Sequence, residues 1–198
     1  MPSERPLLII ATRNAHKTRE IREMLGDRYE VRDVNDFSGL PAVEETGTTF
    51  LGNATLKALA ISREVAGRVL SDDSGLEVDA LGGAPGVGSS SYGGEEGNHP
   101  RNNARLMAEM AGRSDRAARF RCTMVLAEAG VVLADFSGTV EGRLLEEPFG
   151  AGGFGYDPLF APEGHERSFA ELGAEVKNAL SHRGRALAEV VAWLETKR

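Results

Sequence analysis

One cysteine, Cys122, is all that the 198-residue chain carries. No disulfide can close within the chain and no cysteine-based metal cluster can form, which fits a reducing compartment and gives a cytoplasmic expectation. No uninterrupted apolar run approaches the roughly 20 residues that a bilayer-spanning helix needs. The first residues are interrupted by Pro2 and Pro6 with charges between them, so neither a secretory leader nor a membrane segment is expected. Positive charge is scarce: 23 Lys and Arg against 30 Asp and Glu leave a formal charge of −7. A general affinity for DNA or RNA needs a basic surface and is not expected, whereas a small anionic ligand needs only a local basic pocket. The Walker A spacing is missing, as are internal repeats, low-complexity tracts and any clear linker. Hydrophobic residues make up 41% of the chain, ample for the core of a single domain spanning residues 1–198.

What is present centres on Ser71-Asp72-Asp73-Ser74-Gly75-Leu76, which follows the short apolar run Arg68-Val69-Leu70. The spacing predicts a buried strand that closes in a glycine turn. Adjacent carboxylates at the mouth of such a strand are costly unless positive charge faces them. A magnesium ion (Mg2+) carrying phosphates would meet that need, since it takes carboxylate oxygens and keeps waters, and ligands of α/β folds gather at strand carboxyl ends. A polar turn with Asp73 or Ser74 as a cap reads the same stretch equally well.

Leu7 to Ala11 is a continuous apolar run suited to a strand buried on both faces. The loop Thr12-Arg13-Asn14-Ala15-His16-Lys17 leads into a helix marked by Ile21, Met24 and Leu25 and stopped at Gly26. Such a loop offers backbone N–H groups and the Lys17 charge to phosphate, although Thr12 or Asn14 alone reads more simply as a helix cap. A second helix is expected over about residues 49–66, with Ala54, Ala58, Ile61 and Val65 on one face and Gly67 as its stop. Glu44 and Glu45 precede it, where the helix dipole favours acids as well as metal ligation would. Lys57 by itself reads as a solvated helix lysine.

Residues 81–94 are rich in glycine and serine and read as an irregular loop, either a site cover or plain surface. A short helix over 100–110 follows, with Leu106 and Met110 inward. Phe120, Cys122, Met124 and Leu126 alternate with more polar neighbours, and Gly130 separates them from a partner strand at Val131–Val140, giving an antiparallel hairpin with Cys122 in the core. The glycine-rich stretch Phe149 to Pro158 brackets Phe154, which either stacks on a purine or fills the core. A helix over 175–180, a break at Ser181-His182-Arg183-Gly184 and an amphipathic helix with Leu187, Val190, Val191 and Leu194 end the chain. Lys177, His182 and Arg183 gather around that break as solvated caps or as readers of anions and carbonyl oxygens.

Together these stretches resemble the inosine triphosphate pyrophosphatase-like (HAM1-type) non-canonical purine NTP pyrophosphatases. The resemblance runs through Ala11 to Lys17, Glu45-Thr46-Gly47, Asn53-Ala54, Lys57-Ala58, Ser71 to Leu76, Gly83 to Val87, Gly153 to Pro158, Lys177 and Ser181 to Gly184. It implies a mixed α/β fold, an elongated central sheet with flanking helices and two lobes around a substrate cleft, and usually a homodimer. It also implies that Thr12, Arg13, Asn14, Ala15, His16 and Lys17 bind the triphosphate, helped by Lys57. Glu45, Asp72 and Asp73 would hold Mg2+, with Asp73 the proton acceptor for the attacking water, and Ser74 would touch substrate. Phe154, Gly155, Tyr156, Asp157, Lys177, His182 and Arg183 would bind the base of ITP, dITP or XTP. Where Ser91 stands, the family commonly has an arginine, so this chain lacks a cation on that loop. The rival expectations are a Maf-like enzyme for other modified or pyrimidine triphosphates and a non-catalytic nucleotide sensor.

Overall fold

The computed structural model describes residues 5–197, so the break at Pro2 lies outside the described residues. In chain order the elements are β1 (Leu7–Ile10), α1 (Ala15–Leu25), β2 (Glu30–Asp33), α2 (Phe50–Ser62), β3 (Arg68–Val78) and α3 (His99–Glu109). They continue with β4 (Ala117–Glu128), β5 (Val131–Leu144), β6 (Phe160–Pro162), α4 (Phe169–Leu172), α5 (Ala174–Leu180) and α6 (His182–Thr196). The strands form one mixed sheet in the order β2-β1-β3-β4-β5-β6. β1 pairs parallel with β2 and β3, and β6 pairs antiparallel with β5. The expected hairpin is β4–β5, turned by Ala129 (φ 49°) and Gly130 (φ 76°), the left-handed pair that a tight two-residue hairpin turn requires. Among the described residues no helix is long and apolar enough to cross a membrane.

The chain divides into two compact units, one taking the chain up to Asp73, Thr123–Ser137 and the chain from Ala186 on, the other Ser74–Cys122 and Gly138–Arg185. In the first, Ile9, Ala11, Val34, Ile61 and Val69 form a buried cluster, and Ala54 and Ala58 of α2 pack on Val125 and Ala127 of β4. Alanines let α2 approach the sheet closely enough for Ser71 Oγ of β3 to donate to the Ala54 carbonyl at 2.6 Å. The second unit has the larger aromatic core: Phe120 meets Phe160 edge-on at 4.8 Å, Phe160 meets Phe169 at 5.4 Å, and Leu76, Leu106, Met110 and Leu159 surround them. Each such side chain contributes about 1.5–3 kcal/mol on burial.

The expected turn at Gly75 is corrected by the structure. β3 runs unbroken from Arg68 to Val78 with Gly75 inside it, so Asp72 and Asp73 lie in the middle of a strand. The strand can continue because lysines of α1 and α2 meet the carboxylates, as described below. α2 also ends earlier than its apolar pattern suggests: helix gives way at Arg63, and Val65 packs against the core from beyond it. Residues 81–94 are not irregular throughout. Gly86–Ser91 forms a 3-10 helix whose Ser89 is buried. His182, Arg183 and Gly184 are the first turn of α6, with Ser181 alone closing α5.

Candidate active site

The first unit assembles the acid cluster. After β1 the chain turns at Thr12, whose Oγ1 accepts from the Asn14 backbone N–H, and Asn14 caps α1 by accepting from His16 N at 2.9 Å and Lys17 N at 3.4 Å. The simple cap reading therefore describes the Asn14 side chain, and the cap fixes where Lys17 leaves the helix. Lys17 Nζ reaches β3, 2.6 Å from Asp72 Oδ1 and 3.3 Å from the Asp72 carbonyl. From α2, Lys57 Nζ donates to Asp73 Oδ1 and the Asp72 carbonyl, both at 3.0 Å, and to Glu45 Oε1 at 3.1 Å. Lys57 is a buried residue, not a solvated helix lysine.

Asn53, one turn before Lys57 on α2, is also buried and accepts from Gly47 N at 2.8 Å. A Cβ at Gly47 would stand 2.6 Å from Asn53 Oδ1, so the Glu45-Thr46-Gly47 turn takes this seat only with glycine at its end. Asn53 thus helps to place Glu45, whose side chain remains 40% exposed and open to a ligand.

Charge in this cluster is uneven. The Asp73 carboxyl is pushed up to about 6 by burial, reinforced by the negative Glu45 and opposed by Lys57 and Lys17. Burial also works against the Glu45 charge, but the charge and hydrogen bond of Lys57, with Asp73 alongside, hold Glu45 below its ordinary value. Burial would lower Lys57; the charges of Asp73 and Glu45 outweigh it and raise the ammonium above its usual range. Of the two acids, Asp73 keeps its proton to the higher pH.

Among the described residues no group of three His, Cys, Asp or Glu side chains stands ready to hold a metal ion. A hard cation that binds through one or two carboxylates and the oxygens of its ligand does not need such a cage. The buried Asp73 Oδ2 has no hydrogen-bond partner. An unmet acceptor of that kind, beside Glu45 and Asp72, is what an oxygen-seeking cation or its water would satisfy, so the donor set fits magnesium.

The next residue of β3, Ser74, belongs to the second unit. Its Oγ accepts from Arg183 at 2.9 Å. The Arg183 guanidinium lies 5.7 Å, and Lys177 Nζ 4.8 Å, from the centre of the Phe154 ring. Lys177 Nζ is also 2.6 Å from Asp157 Oδ2, a pair with both side chains buried, and the same oxygen accepts from Phe154 N at 2.7 Å. Gly153 has φ 69°, and a Cβ there would run into Asp157 Oδ2. Phe154 is thus half-buried beside two cations and neither free on the surface nor lost in the core.

Other expected site residues make contacts of their own. Arg13 donates to the carbonyls of Leu40 at 3.1 Å and Pro41 at 3.5 Å, His16 contacts Arg19 at 3.2 Å, and Ala15 is exposed. Tyr156 is core: its hydroxyl donates to the Ser89 carbonyl at 2.9 Å, and burial drives its ionisation upward. His182 is buried with its ring stacked on Phe120 at 4.8 Å. Ser91 is exposed at the end of the 3-10 helix. The sequence reading missed the bracing of this loop: Ser89 Oγ accepts from Leu76 N at 2.9 Å, and Asn102 ties Gly93 N at 2.6 Å and the Ser90 carbonyl at 3.0 Å. No local spacing signals these contacts, because they join segments distant in sequence.

The first unit sets two lysines against buried acids, and the second sets two cations beside a half-buried aromatic ring. The chain belongs to the Ham1 family, whose model matches residues 8–193. A protein of Bacillus licheniformis named dITP/XTP pyrophosphatase is 46% identical over 191 residues, covering 95% of this chain and 97% of the relative. The solved Ham1 protein of Staphylococcus aureus superposes with a TM-score of 0.86 at 35% identity, covering 97% of this chain and 100% of that one. A HAM1 protein from Coxiella burnetii gives 0.86 at 38% identity, covering 96% and 99%.

Proposed function

We propose that the chain is a nucleoside-triphosphate pyrophosphatase that hydrolyses ITP, dITP and XTP to the monophosphate and pyrophosphate, removing deaminated purines from the nucleotide pool. The observation that carries the reading is the convergence of Lys17, Glu45, Lys57, Asp72 and Asp73 from separate segments, with one buried carboxylate oxygen unmatched. The likeness to a named dITP/XTP pyrophosphatase over nearly the whole chain supports it.

The first unit takes the triphosphate. Lys17 and the loop from Thr12 through Arg13, Asn14, Ala15 and His16 bind phosphate oxygens, with Lys57 holding the acids in register. Glu45, Asp72 and Asp73 would hold magnesium, which when bound supplies charge compensation for the phosphates and the departing pyrophosphate. Asp73 takes the proton of the water that attacks the α-phosphorus; the bond to the bridging oxygen breaks and pyrophosphate leaves. Positioning and charge stabilisation dominate such a displacement, and no covalent intermediate is required.

The second unit takes the base. Phe154 stacks on the ring, Gly155, Tyr156 and Asp157 shape the loop that carries it, and Lys177 supports it. Arg183, with Ser74 and His182 beside it, donates to the oxygen at C6 of hypoxanthine or xanthine. Adenine carries an amino group there and would face donor with donor, a mismatch that discriminates strongly in a buried site. The two units serve as one catalytic domain spanning residues 1–198, cytoplasmic and homodimeric as in the family resembled; light scattering tests the assembly.

Pyrophosphate and monophosphate released from ITP, dITP, XTP, ATP, dUTP and dTTP, with magnesium and with chelator, test the reading. Hydrolysis of the first three in magnesium alone supports it. Preference for dUTP or dTTP would move the chain to a Maf-like activity, and tight nucleotide binding without pyrophosphate to a sensor.

A further inference from the structure

Asn103 lies on α3, outside every motif that points to the site, yet its Nδ2 donates to the carbonyl of Gly155 at 3.1 Å. One turn earlier on the same helix face, the His99 ring meets Phe154, with centroids 6.1 Å apart. α3 thus touches two consecutive residues of the segment proposed to carry the base.

That segment is anchored at Phe154 by Asp157 and at Tyr156 by Ser89, and Asn103 supplies a side-chain hydrogen bond to Gly155 between them. Gly153 and Gly155 both have positive φ, at 69° and 64°, and no atom comes within 4 Å of where a Cβ at Gly155 would stand. Packing does not place Gly155. Asp157 holds the amide of Phe154 from one side, and Asn103 holds the carbonyl of the following residue from the other.

The remaining half of the Asn103 amide argues against a role in stability. Its Oδ1 is buried and has no hydrogen-bond partner. One hydrogen bond contributes about 0.5–1.5 kcal/mol net, whereas an unmet buried acceptor costs about 1–3 kcal/mol. Turning the amide over would set Oδ1 against the Gly155 carbonyl, acceptor to acceptor, so the orientation is fixed by the contact. A residue that returns no stability and pins one carbonyl of a glycine-flanked aromatic is there for position.

We propose that Asn103 is a positioning residue for base recognition: by holding the Gly155 carbonyl it sets the Phe154 ring in the attitude that receives the purine. This rests on the reading of the second unit as the base site. Bound nucleotide then needs less ordering of the loop, and the saving is in affinity, not in the chemical step.

The test compares wild type with Asn103→Ala and Asn103→Asp, the second keeping shape and acceptor while losing the donor. Steady-state hydrolysis of ITP, melting temperature, and amide hydrogen exchange over residues 153–157 are measured for each. The expected result in both variants is faster exchange in that segment, kcat within about twofold and KM for ITP raised by about tenfold, the equivalent of ~1.4 kcal/mol, with no loss of melting temperature in Asn103→Ala. Unchanged exchange and KM, or recovery of wild-type KM in Asn103→Asp, would overturn the proposal. So would a joint fall of melting temperature and kcat in Asn103→Ala, which would make the residue structural. Exchange reports on the loop whether or not ITP is the substrate: inactivity of the wild type toward every triphosphate refutes the function, while unaltered exchange refutes the role of Asn103.

Discussion

Lys57 Nζ sits 3.0 Å from both Asp73 Oδ1 and the Asp72 carbonyl, so a single buried ammonium from α2 joins side chain and main chain at the acid pair of β3. Lys57→Met keeps much of the length and removes the charge, leaving Asp73 without its nearest cation. Breaking a buried pair in this way costs about 3–5 kcal/mol. Thermal unfolding should show a melting temperature lower by several degrees, and pyrophosphate release from ITP should be nearly lost. An unchanged melting temperature would mean that the ammonium is not buried against the acids.

Asp73→Asn removes the proton acceptor and replaces the unmatched oxygen with a neutral group. Turnover of ITP should be abolished while circular dichroism and melting temperature stay close to wild type, because no buried charge is left alone: Lys57 still has Glu45 and the Asp72 carbonyl. Rates like those of wild type would remove Asp73 from the mechanism.

Gly153→Ala forces a side chain onto a backbone with φ 69° and into Asp157 Oδ2, the oxygen that anchors Phe154 N and Lys177. Left-handed strain costs on the order of 1–3 kcal/mol. KM for ITP should rise, with a smaller loss of melting temperature than in Lys57→Met. A variant with wild-type KM would show that the Asp157 anchor does not serve the base.

Tyr92 gives a pH-dependence remote from the acid cluster. Its hydroxyl donates to Glu109, with Arg105 over the ring at 4.4 Å. Burial first, then the hydrogen bond and charge of Glu109, push the phenol up to about 12, with Arg105 opposing. An acid raised in the folded state contributes stability fully present below the unfolded value near 10 and lost as pH rises through about 12. Melting temperature should fall between those limits, and less steeply in Tyr92→Phe. Equal slopes in the two proteins would place the Tyr92 hydroxyl in water.

The parts of the two candidate clusters that are local were legible in the sequence. Asp72-Asp73, the Thr12 to Lys17 loop and the Gly153 to Pro158 turn each carry their chemistry within a few residues. The strand through Gly75 was not legible, since a glycine after polar residues reads as a turn until the lysines that neutralise those residues are known to lie across from them. Lys57 alone looked solvated; only the approach of α2 on Ala54 and Ala58 buries it. Asn53, Asn102 and Asn103 act on carbonyls and amides outside their own helices, and side-chain identity gives no sign of such partners. The 81–94 loop hid its order for the same reason, as Ser89 is held by β3, Asn102 and Tyr156.

Water opening the triphosphate at its first phosphorus is the central step of the proposed reaction. ITP hydrolysed in heavy-oxygen water with magnesium, followed by mass spectrometry of both products, tests this most directly. The label is predicted in the monophosphate, with none in the pyrophosphate. Label in pyrophosphate, or release of orthophosphate in its place, would contradict it.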